Sequence, residues 1–200
     1  MGSLRDKGKR HDAFFKKARE GGYAARSVFK LEEIDKKFRL LRPGERVLDL
    51  GCRPGSWLKY AAGVVGQHGT VIGLDRTALP AEIPGATALI GDVFTITDEE
   101  LLGPLRAFDA VLSDMAPDTT GIRSADQARS ASLVEEALAR AERLLAPGGV
   151  FVAKVFQGPD VPAIRKRMDK RFGEVILYKP EASRSASTEL YLVGKSFIPA

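Results

Sequence analysis

Apolar residues recur along this chain at two spacings, and each spacing predicts a different element. Val28, Leu31, Ile34 and Phe38 stand three or four residues apart, which lines one face of an α-helix. Short apolar runs bounded by glycine, proline or aspartate predict buried strands at 46–50, 70–74, 86–90, 109–113, 149–155, 174–179 and 189–195. Helical segments are expected between them at 56–65, 98–102, 124–145 and 160–172. The clearest contains "SLVEEALARAERLL" and runs into "APGG", a stop signal. Residues 12–39 read as two helices broken at Gly21-Gly22, with Ser27 a candidate cap for the second. Residues 1–11 are polar and are expected to form a flexible basic tail, with 12–200 as a single domain.

Regular alternation of strands and helices predicts an α/β sheet covered on both faces. The last two strands break the alternation. Only residues 180–188 join them, too few for a helical crossover, so they are expected to run antiparallel. Glu189, the first residue of the final strand, then faces the crevice at the carboxyl ends of the parallel strands, where open α/β sheets bind ligands.

Composition narrows the setting. The net charge of +5 permits a polyanionic partner without demanding one. Cys52 is the single cysteine, so neither an intramolecular disulfide nor a cysteine-based metal site is available. His11 sits in a polar tail and His68 in a "GQHG" turn, so no histidine–carboxylate metal spacing or serine–histidine triad is visible. There is no 18-residue apolar run, and "MGSLRDKGKRHD" has no apolar core behind its charges. These features together predict a cytoplasmic protein with no metal and no membrane contact.

The candidate chemistry sits at strand ends. Gly51 and Gly55 in "VLDLGCRPGSW" allow close approach of a ligand, but their G-x-x-x-G spacing is not the G-x-G-x-x-G of dinucleotide sites. Asp75 ends the second strand and could accept from ribose hydroxyls, or act as a turn residue. Asp92 follows the third and could accept from an adenine amino group, or merely close the strand. With Asp49, which helps close the first strand, these make three acidic strand ends without a phosphate cradle, and they suggest an adenosine-containing cofactor, S-adenosyl-L-methionine. Asp114 in "LSDMAP" follows another strand, and Pro117 stiffens its loop. Lys154 lies inside an otherwise apolar strand, where a lysine is costly unless paired; the ordinary alternative is a side chain snorkelling to solvent. Glu189 read alone could be a surface acid on an edge strand.

Taken together, "RSVFKLEEID", "VLDLGCRPGSW", "SDMAPDTTG", "LAPGGVFVAKVFQG" and "KPEASRSASTELYLV" resemble the FtsJ/RlmE family of ribosomal RNA 2′-O-ribose methyltransferases. The similarity runs from about Asp12 to about Gly194 in family order and spacing. It implies a Rossmann-like methyltransferase fold, with a seven-stranded, mostly parallel sheet and an antiparallel last strand. It also implies a Lys-Asp-Lys-Glu tetrad at Lys30, Asp114, Lys154 and Glu189. Lys154 would be the base, Glu189 would hold the 2′-hydroxyl, and Lys30 would fix Asp114 or the incoming RNA. Contacts to S-adenosyl-L-methionine, whose product is S-adenosyl-L-homocysteine, map onto Gly55, Trp57, Asp75, Asp92 and Asp114. The implied substrate is a uridine of large-subunit, 23S-type ribosomal RNA, met by a monomeric enzyme.

The chain also departs from the family pattern. Cys52, Arg53 and Ser56 replace small residues of the cofactor loop, and Arg53 brings a long cation near the site for a sulfonium. Ala24, Ala186 and Thr188 stand where arginines are frequent; Lys7, Lys9, Arg10, Lys16, Lys17 and Arg19 could compensate in holding phosphates. Two alternatives stay open at this point: a transfer RNA 2′-O-ribose methyltransferase, and a non-catalytic RNA-binding assembly factor with an impaired pocket.

Overall fold

The computed structural model describes residues 16–183 and 187–200. The expected basic tail, Arg184 and Ala186 lie outside the described residues. Seven strands form one sheet: β1 (Arg46–Leu50), β2 (Thr70–Asp75), β3 (Thr87–Ile90), β4 (Phe108–Ser113), β5 (Leu145–Phe156), β6 (Phe172–Tyr178) and β7 (Glu189–Phe197). Their order is β3-β2-β1-β4-β5-β7-β6. β7 runs antiparallel to both neighbours, so it lies inside the sheet rather than at its edge. The other pairings are parallel.

Side-chain alternation along the strands builds a core on each face. Leu48 and Leu50 of β1 join Phe108, Val111 and Phe151 on the face covered by α4 (Arg123–Leu144) and α5 (Val161–Met168). Val47 joins Leu112, Val152 and Tyr191 on the face covered by α1 (Val28–Phe38) and α2 (Ser56–Val65). The apolar stripe expected on α1 is real: Val28, Leu31 and Ile34 are fully buried, and Phe38 packs against the cluster from its rim. The short α3 (Asp98–Leu102) starts with a capping box between Thr97 and Glu100.

Three local expectations need correction. Ser27 makes no side-chain cap; its carbonyl instead accepts from the Trp57 indole. β5 begins at Leu145, which pairs with Phe108 before the strand register jumps to Ala110–Val150. The helix does stop there, at Leu144, and "APGG" forms the irregular start of β5, with Gly148 at φ 81°. Helix α5 ends at Met168 rather than at 172, because Phe172 belongs to the sheet, opposite Phe197 and stacked on Phe151. Residues 16–20 are helical and break at Gly21-Gly22 as expected.

Candidate active site

The carboxyl ends of β1, β2 and β4 enclose a cavity of about 820 Å³. Gly51, Asp75, Asp92 and Asp114 are on its wall, with Phe94 at the side. Gly51, at φ 77°, has its Cα turned toward Met115, where an added Cβ would fall 2.6 Å from Cγ. Only glycine lets the β1 and β4 loops meet this closely.

Asp75 is held by its own turn. One carboxylate oxygen accepts from the Arg53 backbone N–H at 3.1 Å, and the other from the N–H and hydroxyl of Thr77. The oxygen that accepts from Arg53 retains a lone pair for a further donor. Asp92 accepts from the Phe94 N–H at 2.9 Å, which curls the loop after β3 around the cavity. Arg53, Arg76 and Arg129 also border the cavity, and the Arg53 side chain is exposed.

Two residues expected to contact a cofactor are not on this wall. Gly55 caps α2 at φ 104° and faces Ile83. Trp57 is buried, and its indole N–H donates to the Ser27 carbonyl at 2.9 Å. What they leave near the loop is backbone: the first-turn N–H groups of α2, which lack acceptors within the helix. Ser56 also ties the α1 side to this loop, its hydroxyl accepting from the Ala25 N–H at 2.7 Å.

The four tetrad candidates meet as two ion pairs. Lys154 Nζ lies 3.0 Å from Asp114 Oδ1 and donates to the Asp114 carbonyl at 2.6 Å. Lys30 Nζ lies 2.6 Å from Glu189 Oε2. Lys30 thus grips Glu189 and not Asp114. Sheet register explains the convergence. Lys154 pairs with Tyr191 and Phe156 with Glu189 across β5 and β7, so the antiparallel strand returns Glu189 to the carboxyl end of β5. Both lysines are buried, which rules out snorkelling for Lys154.

The electrostatics are opposed at two carboxylates. Burial works against ionising Glu189, but the Lys30 hydrogen bond and charge, helped by Lys154 and Ser187, outweigh it and lower its pKa. Asp49 goes the other way. It is fully buried, neither oxygen has a hydrogen-bond partner among the described residues, and burial with the charges of Asp114 and Asp75 raises its pKa well above the usual range.

Tyr191 was not foreseen as a site residue. It is fully buried, and its hydroxyl donates to Asp114 Oδ1 at 3.0 Å. A signal existed: in "ELYL", Tyr191 follows Glu189 by two and so shares its face of the strand.

This arrangement has relatives. The FtsJ-like methyltransferase family model matches residues 23–197. The chain belongs to the FtsJ-like methyltransferase family. Ribosomal RNA large subunit methyltransferase E of Desulfatibacillum aliphaticivorans is 51% identical over 186 residues, covering 92% of this chain and 90% of that protein. The enzyme of the same name from Sorangium cellulosum is 50% identical over 187 residues, covering 93% and 88%. Among solved structures, a Plasmodium falciparum protein described as a ribosomal RNA methyltransferase superposes with a TM-score of 0.79 at 25% identity, covering 89% of this chain and all of that one. As a family member the chain is a methyltransferase with the α/β sheet expected from its sequence, its final strand antiparallel. Among the described residues no helix is long and apolar enough to cross a membrane.

Proposed function

We propose that this chain is an S-adenosyl-L-methionine-dependent 2′-O-ribose methyltransferase acting on large-subunit ribosomal RNA, at a uridine of the 23S type. The observation that carries the reading is that the Lys154–Asp114 pair, with Lys30–Glu189 near enough for Lys154 to act on Glu189, joins through Asp114 a cavity also walled by Asp75 and Asp92. The relatives named ribosomal RNA large subunit methyltransferase E support the substrate.

The cavity suits the cofactor on its own chemistry. Carboxylates at three strand ends match a ligand carrying a sulfonium, an ammonium and two ribose hydroxyls. Asp75 would take the ribose hydroxyls, Asp92 the adenine amino group, and Asp114 the cationic end; Gly55 and Trp57 would contribute backbone at the start of α2. Bound there, S-adenosyl-L-methionine supplies an already activated methyl group. The chain's task is then placement and proton removal. Glu189, fixed and kept ionised by Lys30, accepts a hydrogen bond from the 2′-hydroxyl and aims it. Lys154 in its neutral form takes that hydroxyl's proton late in the transfer, and Asp114 stabilises the ammonium that results.

Arg53 is the departure from the family pattern that borders the cavity. Its backbone N–H holds Asp75 and its exposed side chain borders the cavity, where it can meet RNA phosphate. The target nucleotide must be single-stranded or flipped out to expose its ribose. The protein would act in the cytoplasm as a monomer, with Lys16, Lys17 and Arg19 among the phosphate contacts.

The test supplies labelled S-adenosyl-L-methionine with large ribosomal subunits, free ribosomal RNA and transfer RNA, followed by mapping of ribose methylation. The expected result is one methylated ribose in large-subunit RNA. Methylation confined to transfer RNA would overturn the substrate, and no methylation of any RNA would overturn the activity.

A further inference from the structure

The buried phenol of Tyr191 lies between the two ion pairs of the site. Its hydroxyl donates to Asp114 Oδ1 at 3.0 Å, the same oxygen that Lys154 Nζ approaches at 3.0 Å. Its ring has Lys30 Nζ 5.8 Å from the centroid on the other pair, within range of a cation–π attraction. The Trp57 ring packs 5.9 Å away, tilted by 32°. Tyr191 also sits directly opposite Lys154 in the β5–β7 ladder, so strand register fixes their backbones side by side.

One carboxylate oxygen thus serves two proton donors of different kinds. The phenol stays protonated and remains a donor, because burial and the Asp114 and Glu189 charges raise its pKa well above the ordinary tyrosine value. Each hydrogen bond accepted disperses some of the carboxylate charge. The ammonium therefore faces an anion already partly satisfied by a neutral neighbour.

We infer that Tyr191 is a positioning residue for methyl transfer: its phenol aims the Asp114 carboxylate and takes up part of its charge, so that Lys154 is held at the reaction centre without an undivided ion pair. The inference rests on Lys154 being the proton acceptor, as proposed above. The charged and titratable groups that face Lys154 are Asp114 from the loop after β4, Glu189 and Tyr191 from β7, and Lys30 from α1 across Glu189. Asp49 on β1 acts on this set through its proximity to Asp114. Helix α4 places the neutral Ser130 hydroxyl against β5, where it accepts from the Phe156 N–H, and its charged Arg129 borders the same cavity as Asp114.

The test is Tyr191→Phe, which keeps the ring, its packing and the Lys30 contact and removes one oxygen. With the phenol gone, Asp114 attracts the Lys154 proton undivided. Turnover at saturating RNA and cofactor is expected to fall on the order of tenfold, with KM for RNA within about twofold. The acid limb of the pH–rate profile is expected to move to higher pH by roughly half a unit or more. A second readout needs no activity: in protein labelled with ¹³C-lysine, the Cε resonance of Lys154, assigned by its loss in Lys154→Arg, should titrate at higher pH in Tyr191→Phe. A purely structural tyrosine would lower stability in urea yet leave both the profile and the titration midpoint in place, and that outcome overturns the inference. A Lys154 midpoint that moves in protein whose wild type methylates no RNA would support the coupling while removing the functional reading, so the two failures are separable.

Discussion

Replacing Gly51 by alanine places a single methyl group where two loops of the site touch. The residue sits at φ 77°, a left-handed conformation that costs a non-glycine residue about 1–2 kcal/mol. The new Cβ would lie 2.6 Å from Met115 Cγ and 3.1 Å from both the Cα and N of Met115. The Met115 side chain can turn away, but its backbone cannot move without moving the adjoining Asp114. Forced overpacking of this kind costs about 1–3 kcal/mol. The total destabilisation expected is roughly 2–5 kcal/mol, read from urea unfolding at neutral pH. Displacement of Asp114 should also reach the cavity wall. Calorimetry with S-adenosyl-L-methionine is expected to give at least about a tenfold weaker Kd, equivalent to ~1.4 kcal/mol. A Gly51→Ala protein within about 0.5 kcal/mol of wild type in stability and twofold in cofactor affinity would refute both the strain and the contact argument.

Lys154→Ala should lower turnover by on the order of a hundredfold or more while cofactor affinity in calorimetry changes less than about threefold; near-wild-type methylation at saturating substrate would remove the lysine from the chemistry. For Lys30→Met the stability loss should depend on pH. Burial opposes ionised Glu189, and Lys30 reverses that to bring its pKa below 4.5. The pair therefore contributes fully above pH 4.5 and loses its contribution as pH falls through the lower folded value. The gap in unfolding free energy between wild type and Lys30→Met should thus be widest at neutral pH and narrow in acid; a gap constant from neutral pH into acid would contradict this. Arg140→Met removes a buried guanidinium that binds Glu136, Asp98 and the carbonyl of Val93, next to Asp92. Orphaning that carbonyl should cost about 1–3 kcal/mol in urea unfolding and weaken cofactor binding through the Asp92 loop; an unchanged urea midpoint would show the network to be dispensable.

The sequence by itself determined the elements and the level of the sheet at which chemistry would lie. Hydrophobic spacing set β1 and α2 at their observed bounds, because periodicity records which face of an element is buried and that is a local property. Acidic residues closing apolar runs marked the cavity wall at Asp75, Asp92 and Asp114, because a strand's end is where its side chains leave the core. Errors arose where a local signal competed with a distant contact: the strand expected from 149 starts at Leu145, which pairs with Phe108, and Phe172 leaves a helical pattern to stack on Phe151.

Tertiary structure alone decided the partnerships. Nothing in "RSVFKLEEID" says that Lys30 will grip Glu189, 159 residues away, rather than Asp114. That choice follows from β7 inserting antiparallel between β5 and β6, which brings Glu189 beneath α1 and Tyr191 opposite Lys154. The same insertion turned Tyr191 from a core aromatic into a donor on Asp114 Oδ1. The Trp57 indole was likewise committed by packing, its N–H donating to the Ser27 carbonyl just ahead of α1. The physical reason is common to these cases. A residue's periodicity fixes the face it presents, but its hydrogen-bond partner is fixed by strand order and register, which the chain settles only when distant segments pack.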